Sequence, residues 1–249
     1  MNKIFLFDVD GTLSVDGIVP NSAKDALVYL RNKGYLVLLC TGRCLGQMTD
    51  LLNSIHVDGI IANNGAYASL NGIPFFEAPI DNKEIKKLID KKLCLGILTK
   101  DEYGVVLEDE DVLNEFCAHF KIQRPKHLDL ENIFSKPIYS LGVYTKEDMT
   151  NTIEELANLH FVKVCEVGYD IVSKGISKAT AIKALKKLYP DAKIIAFGDN
   201  YNDLEMFEVA DEAYAMASAP KALKVLATGV TKAPLEDGIL YAIKELMRL

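Results

Sequence analysis

No apolar run in these 249 residues approaches the ~18 needed to cross a membrane, and the N-terminus enters a strand pattern without the layout of a secretion signal. Both absences lead us to expect a protein that stays in the cytoplasm and has no membrane partner. Cysteines are few and odd in number. Cys40, Cys44, Cys94, Cys117 and Cys165 include no CxxC pair, which argues against a disulfide framework and against a zinc site, so they read mostly as small core residues. The four histidines, His56, His119, His127 and His160, are scattered without ligand spacing and read as surface or packing residues. Basic residues are the minority, 28 Lys and Arg against 35 Asp and Glu. The resulting net charge of -7 argues against nucleic acid as a partner, because a phosphate backbone needs a basic surface. A small phosphorylated molecule is still allowed, since a metal ion or one well-placed lysine sets the local field. There is no internal repeat or low-complexity tract, and the sequence leaves the oligomeric state open.

The most informative stretch present is KIFLFDVDGTL, from Lys3 to Leu13. It is an apolar strand ending in two aspartates. Side chains alternate along a strand, so Asp8 and Asp10 project the same way with Val9 turned away between them. Paired carboxylates repel, and a protein holds them together mainly around a cation or a proton. A surface DxDG turn or a calcium loop is the plainer alternative. Calcium loops need oxygen ligands at alternate positions and a late glutamate, a pattern broken by Leu13, Val15 and Ile18.

Later segments repeat the arrangement of apolar strand, polar tip and helix. YLVLLCTGR, from Tyr35, ends in Thr41 and Gly42, and KIIAFGDNYND, from Lys193, ends in a second acidic cluster. Between them, SKGISKATAIKAL places Lys178 near the start of a helix after Gly175. A hydroxyl and backbone N–H from one strand end, carboxylates from two others and an ammonium from a helix outline a site for phosphate and magnesium.

The chain's organisation gives an α/β class. A helix from about Ser22, its expected N-cap, to Lys33 stops at Gly34, and strands at 35–40 and 59–63 flank a further helix, so the first ~65 residues read as βαβαβ. After Pro79 the texture changes. Asp81 and Glu84 predict a capping box for a helix to about Leu93, followed by strands near 95–100 and 104–108 and a helix near 111–120. A strand at 138–144, a helix capped by Thr145 and strands at 161–166 and 169–173 complete an α+β unit. The βα alternation returns at Ser177. We therefore expect a core domain of residues 1–80 and 174–249 with an inserted domain of residues 81–173, which as a hinged lid would exclude water and select the leaving group.

Four ordered motifs, DVDGTL (Asp8–Leu13), TGR (Thr41–Arg43), GISK (Gly175–Lys178) and GDNYND (Gly198–Asp203), together resemble the haloacid dehalogenase superfamily of phosphotransferases. Within it the chain is most similar to the Cof-type hydrolases with a type IIB cap. NNGA (Asn63–Ala66) and EDG (Glu236–Gly238) extend the resemblance almost end to end. The resemblance implies a Rossmann-like parallel-sheet core with the inserted α+β cap, and a Mg²⁺-dependent phosphatase acting on sugar phosphates or similar phosphomonoesters. Asp8 is then the nucleophile that forms an aspartyl-phosphate, and Asp10 the acid and base. Asp8, Asp10 and Asp199 attend the metal, Asp10 through its backbone carbonyl. Val9 and Gly42 N–H groups, Thr41, Lys178 and Asn202 hold the phosphoryl group, and Asp203 supports Lys178 or a metal-bound water. Arg43 reads as a substrate contact or a loop fastener. Ala217 and Ser218, in AMASA, and Ala179 depart from the family pattern without touching these groups. Two alternatives stay open: a phosphosugar mutase on the same fold, and a phospho-acceptor or binding protein without turnover.

Overall fold

In the computed structural model, which describes residues 3–120, 122–246 and 248, β1 (Lys3–Phe7) is buried on both faces, Ile4 to Phe7 being inaccessible. That explains its unbroken apolar run, since strands of a parallel sheet covered on both sides need no polar face. Helix α1 (Asn21–Asn32) has Pro20 as its N-cap, two residues before the expected Ser22. Pro20 precedes it with an extended ψ, and its carbonyl takes the N–H groups of Ala23 and Lys24, so the backbone makes the start and no side chain is needed. Its buried stripe is Ala23, Ala26, Leu27 and Leu30. Next come β2 (Leu36–Cys40), α2 (Thr49–Ser54) and β3 (Gly59–Ala62).

Two strands that the sequence reading passes over follow, β4 (Tyr67–Leu70) and β5 (Ile73–Glu77). Asn71 and Gly72 join them with φ of 48° and 78°, the paired positive φ of a tight hairpin, for which Asn-Gly is the strongest short signal. Helix α3 (Asn82–Asp90) is capped by Asp81, which accepts from the Lys83 N–H at 2.8 Å. Glu84 does not complete the box, because its carboxylate is engaged by Lys87 at 2.9 Å and Asn158 at 3.2 Å. Then follow β6 (Cys94–Thr99), β7 (Tyr103–Val106), α4 (Glu110–Phe120), the short β8 (Lys126–His127) and β9 (Ile138–Tyr144). Thr145 caps no helix. Its hydroxyl closes a turn onto the Glu147 N–H at 3.0 Å, and Asp148 closes another onto Thr150, so α5 begins only there (Thr150–Glu155). Strands β10 (Leu159–Cys165) and β11 (Gly168–Ser173) precede α6 (Lys178–Leu188), β12 (Lys193–Gly198), α7 (Leu204–Val209), β13 (Glu212–Ala215), α8 (Lys221–Leu226), β14 (Gly229–Val230) and α9 (Gly238–Tyr241).

The chain forms two compact units. One comprises the segment up to Gly42, Met48–Phe76 and the segment from Ser177 onward; the other comprises Arg43–Gln47 and Glu77–Ile176. The first is built on an eight-stranded sheet ordered β14-β13-β12-β1-β2-β3-β4-β5, parallel from β14 to β3 and antiparallel between β3 and β4. The chain leaves β1 toward β2 on one side, while β12 lies on the other and leads away to β13. This reversal beside β1 opens a crevice at the carboxyl ends of the strands, where sheets of this class bind ligands. The second unit has its own sheet, ordered β10-β11-β9-β6-β7-β8. Ile85 and Leu88 of α3 pack on one face with Leu95, Ile97, Leu141 and Val143, and Val112, Leu113 and Phe116 of α4 cover part of the other. All five cysteines are free thiols, and no helix among the described residues is long and apolar enough to cross a membrane.

Candidate active site

Asp8 follows β1 directly, and its N–H donates to the Phe197 carbonyl of β12 at 2.9 Å. That bond locks the first aspartate beside the strand that delivers Asp199. After Asp8 the chain turns at once, with Leu13 and Ser14 N–H groups returning to the Val9 carbonyl at 3.0 and 2.8 Å. Gly11 sits at a φ of 81°, and a Cβ there would fall 2.2 Å from Asp199 Oδ2. Only glycine lets this loop pass the second carboxylate. Thr12, fully buried, donates its hydroxyl to Asp199 Oδ1 at 2.9 Å.

Lys178 opens α6 and is 1% exposed. Its ammonium donates to Asp8 Oδ1 at 2.6 Å and to Asp203 Oδ1 at 2.7 Å. Asp203, wholly buried, accepts with its other oxygen from the N–H groups of Asp199 at 2.9 Å and Asn200 at 3.1 Å. Both oxygens of Asp203 therefore work inside the protein, one steering Lys178 and one shaping the loop that presents Asp199. Thr41, just past β2, is buried and has its N–H on the Ile61 carbonyl. Gly42 follows against the Asn64 amide, and the half-buried Asn202 donates to Asn64 Oδ1 at 3.5 Å.

The structure thus gathers Asp8, Asp199, Asp203 and Lys178, with one oxygen from each of the three carboxylates within 4.8 Å of the others. Asp10 is not among them. Its side chain is exposed, because the chain leaves the strand geometry after Asp8 and the alternation that would pair the two aspartates stops there. Arg43 donates to the Gln47 carbonyl at 3.3 Å, bracing its own loop. Two residues that sequence reading assigned no role, Thr12 and Asn64, also belong to this constellation. Each lies in a motif already quoted, and no rule of spacing marks its side chain as facing a partner more than a hundred positions away.

Three carboxylates against one buried ammonium leave a surplus of negative charge, and the pKa values show where it falls. Burial pushes Asp8 well above the usual carboxylate range, with Asp203 and Asp199 adding to the rise and Lys178 opposing it. Burial, then Asp203, push Asp199 up to about 6, and Asp8 is close enough to be its hydrogen-bond partner. Burial alone would lower Lys178, but the pairs with Asp203 and Asp8 outweigh it and hold the group charged. Two carboxylates this close share a proton or a cation. The donors are all oxygen, which suits a hard divalent ion, and Asp8 and Asp199 are the pair placed to hold it.

This charge balance has a measurable consequence. A raised folded-state value means that Asp199 adds stability that is complete below the ordinary carboxylate range and lost as pH rises through about 6. Without metal, thermal unfolding of the protein should lose on the order of 5 °C between pH 5 and 7 relative to Asp199→Asn, and a divalent cation should restore it. Parallel pH profiles for the two proteins would show that Asp199 carries no such strain.

Comparison with known proteins shows the chain's family. A family model described as haloacid dehalogenase-like hydrolase matches residues 5–243. The chain is 27% identical to YkrA of Bacillus subtilis, named as a candidate phosphatase, over 98% of both chains. It is 26% identical to 5-amino-6-(5-phospho-D-ribitylamino)uracil phosphatase YwtE of the same organism, again over 98% of each. The solved structure of BT1666 from Bacteroides thetaiotaomicron, described among phosphatases of the haloalkanoate superfamily, superposes with a TM-score of 0.88 at 25% identity, covering 100% of this chain and 96% of that one.

Proposed function

The chain belongs to the haloacid dehalogenase-like hydrolase family, and on that premise we propose that it is a magnesium-dependent phosphatase of small phosphorylated metabolites, sugar phosphates or similar phosphomonoesters, acting in the cytoplasm. The observation that carries the reading is Asp8, held at the end of the central strand between the ammonium of Lys178 and the carboxylate of Asp199. Asp203 shares the burial and the ammonium, but its second oxygen is taken by the Asp199 and Asn200 N–H groups, which leaves Asp8 as the carboxylate at the tip of the central strand.

In this reading an oxygen of Asp8 attacks phosphorus, the bond from phosphorus to the leaving oxygen breaks, and Asp10 gives that oxygen its proton. Water then attacks the aspartyl-phosphate, Asp10 takes the proton back, and Asp8 returns as a carboxylate with inorganic phosphate released. The exposure of Asp10 suits this shuttle, since it must reach both an alcohol and a water. Thr41 and the N–H groups of Val9 and Gly42 hold the phosphoryl oxygens with Asn202, and Lys178 offsets charge that builds on Asp8 and the phosphoryl group. Asp8, Asp199 and the Asp10 carbonyl would hold Mg²⁺, which when bound neutralises charge between nucleophile and phosphate. The name of YwtE, a phosphate on a ribityl chain, supports a small phosphomonoester as the substrate class.

The test is hydrolysis of para-nitrophenyl phosphate, expected with Mg²⁺ and lost on adding EDTA, followed by a panel of phosphorylated metabolites. Activity untouched by EDTA would remove the metal, and phosphate transfer without release would point to a mutase. Asp10→Asn should lose ~10²-fold on alkyl phosphates and distinctly less on nitrophenyl phosphate, whose leaving group needs no proton. Equal losses, with no change in trapped phospho-enzyme, would take the acid role from Asp10.

A further inference from the structure

The NNGA segment is not accounted for by the mechanism above, yet it touches three parts of the site. Asn63, Asn64 and Gly65 run consecutively with φ of 52°, 51° and 91°, a left-handed turn that is rare outside glycine and asparagine. The Asn64 N–H holds the Thr41 carbonyl at 3.1 Å, its side chain lies against Gly42, and its oxygen accepts from Asn202. Gly65 lies against the chain entering α6. A Cβ there would fall 2.0 Å from the Ser177 carbonyl oxygen and 2.7 Å from the Lys178 nitrogen, and both are backbone atoms that cannot swing aside. The body of α6 is seated by Ala181, Ile182 and Leu185 in the core, and its start is closed by the Ser177 N–H donating to Thr180 Oγ1 at 3.1 Å, a local bond that gives the first turn its shape; Gly65 is where the first turn meets the site.

We propose that the Asn63–Gly65 turn positions the phosphate-binding groups: Gly65 sets the depth at which α6 delivers Lys178 to Asp8, and Asn64 holds Asn202 and the Thr41–Gly42 backbone in register with it. Lys178 meets both carboxylates at under 2.8 Å, so a displacement of even half an ångström at its backbone weakens contacts that matter most as charge develops. The turn itself touches no reacting atom. It acts through Lys178 and Asn202.

The inference rests on the phosphatase reading. A wild-type protein inactive on every phosphate ester would sink that reading, whereas the tests below bear on an active one. Gly65→Ala should lower kcat ~10- to 100-fold with KM changed less than ~3-fold, because the lost contact strengthens in the transition state. In a Lys178→Met background, assayed with Mg²⁺ well below both unfolding midpoints, the same change should cost less than ~2-fold, since a group acting through Lys178 has nothing left to position. An equal loss in both backgrounds, or no loss in the native one, would overturn the proposal. If Gly65→Ala does not fold, Asn64→Gly serves in its place, as glycine keeps the left-handed turn and removes only the amide. It should weaken inhibition by inorganic phosphate ~5-fold in the native chain and not at all in Asn202→Ala. Additive losses there would likewise overturn it.

Discussion

Asp8→Asn should reduce turnover by on the order of 10³-fold or more while the protein remains folded, because on the proposed mechanism the substitution removes the attacking oxygen and little else. The amide keeps the volume and still offers an acceptor to Lys178, which retains its 2.7 Å pair with Asp203. It also relieves a real repulsion. Burial and two neighbouring carboxylates hold Asp8 above its ordinary range, so its charge opposes the metal-free fold. Thermal unfolding without metal should therefore shift by no more than about 3 °C, and upward as readily as downward. An acid-quenched reaction with radiolabelled substrate should label the native chain and leave the variant unlabelled. Substantial turnover in Asp8→Asn would mean that water attacks phosphorus directly and that Asp8 serves the cation alone.

Lys178→Met should be severe in both activity and stability. The methionine stem fills much of the same space, but Asp8 and Asp203 are left buried without their cation, and breaking a buried pair in this way costs about 3–5 kcal/mol. For a chain of this size that lowers the unfolding midpoint by roughly 10 °C. Activity should fall about 10³-fold, since nothing else described beside Asp8 carries a positive charge. Added Mg²⁺ should recover part of the stability and none of the activity. A variant as stable as the native chain would show that the carboxylates are protonated there and that the ammonium is dispensable to the fold.

Much of this architecture was legible in the residues. The apolar runs ending in DVDGTL, TGR and GDNYND mark parallel strands whose tips meet, because burial on both faces leaves no other use for such runs. The differences have separate causes. The Thr145 turn depends on which of several short polar groups wins a backbone N–H, and the α1 start on the Pro20 carbonyl taking the first N–H groups without any side chain. Strand alternation pairs Asp10 with Asp8, and that rule ends where the strand does, at Phe7. Asp203, read as a support for Lys178, does pair with it; what the sequence does not show is its depth, the greatest among the described acidic groups, because burial of a polar side chain is set by long-range packing that no local window contains.

The pairing of β1 with β12, Lys3 opposite Lys193 through Phe7 opposite Phe197, also bears on how the protein is made. During synthesis the first strand leaves the ribosome about 190 residues before its neighbour, a wait on the order of ten seconds or more at ordinary elongation rates. Through that interval one side of a strand that is apolar after Lys3 has no backbone partner, the condition under which nascent chains attract chaperones or one another. Nonsense products ending before Lys193 are then expected to collect in the insoluble fraction, and a ribosome stalled at that point would present a half-built sheet with Asp8 at its open seam.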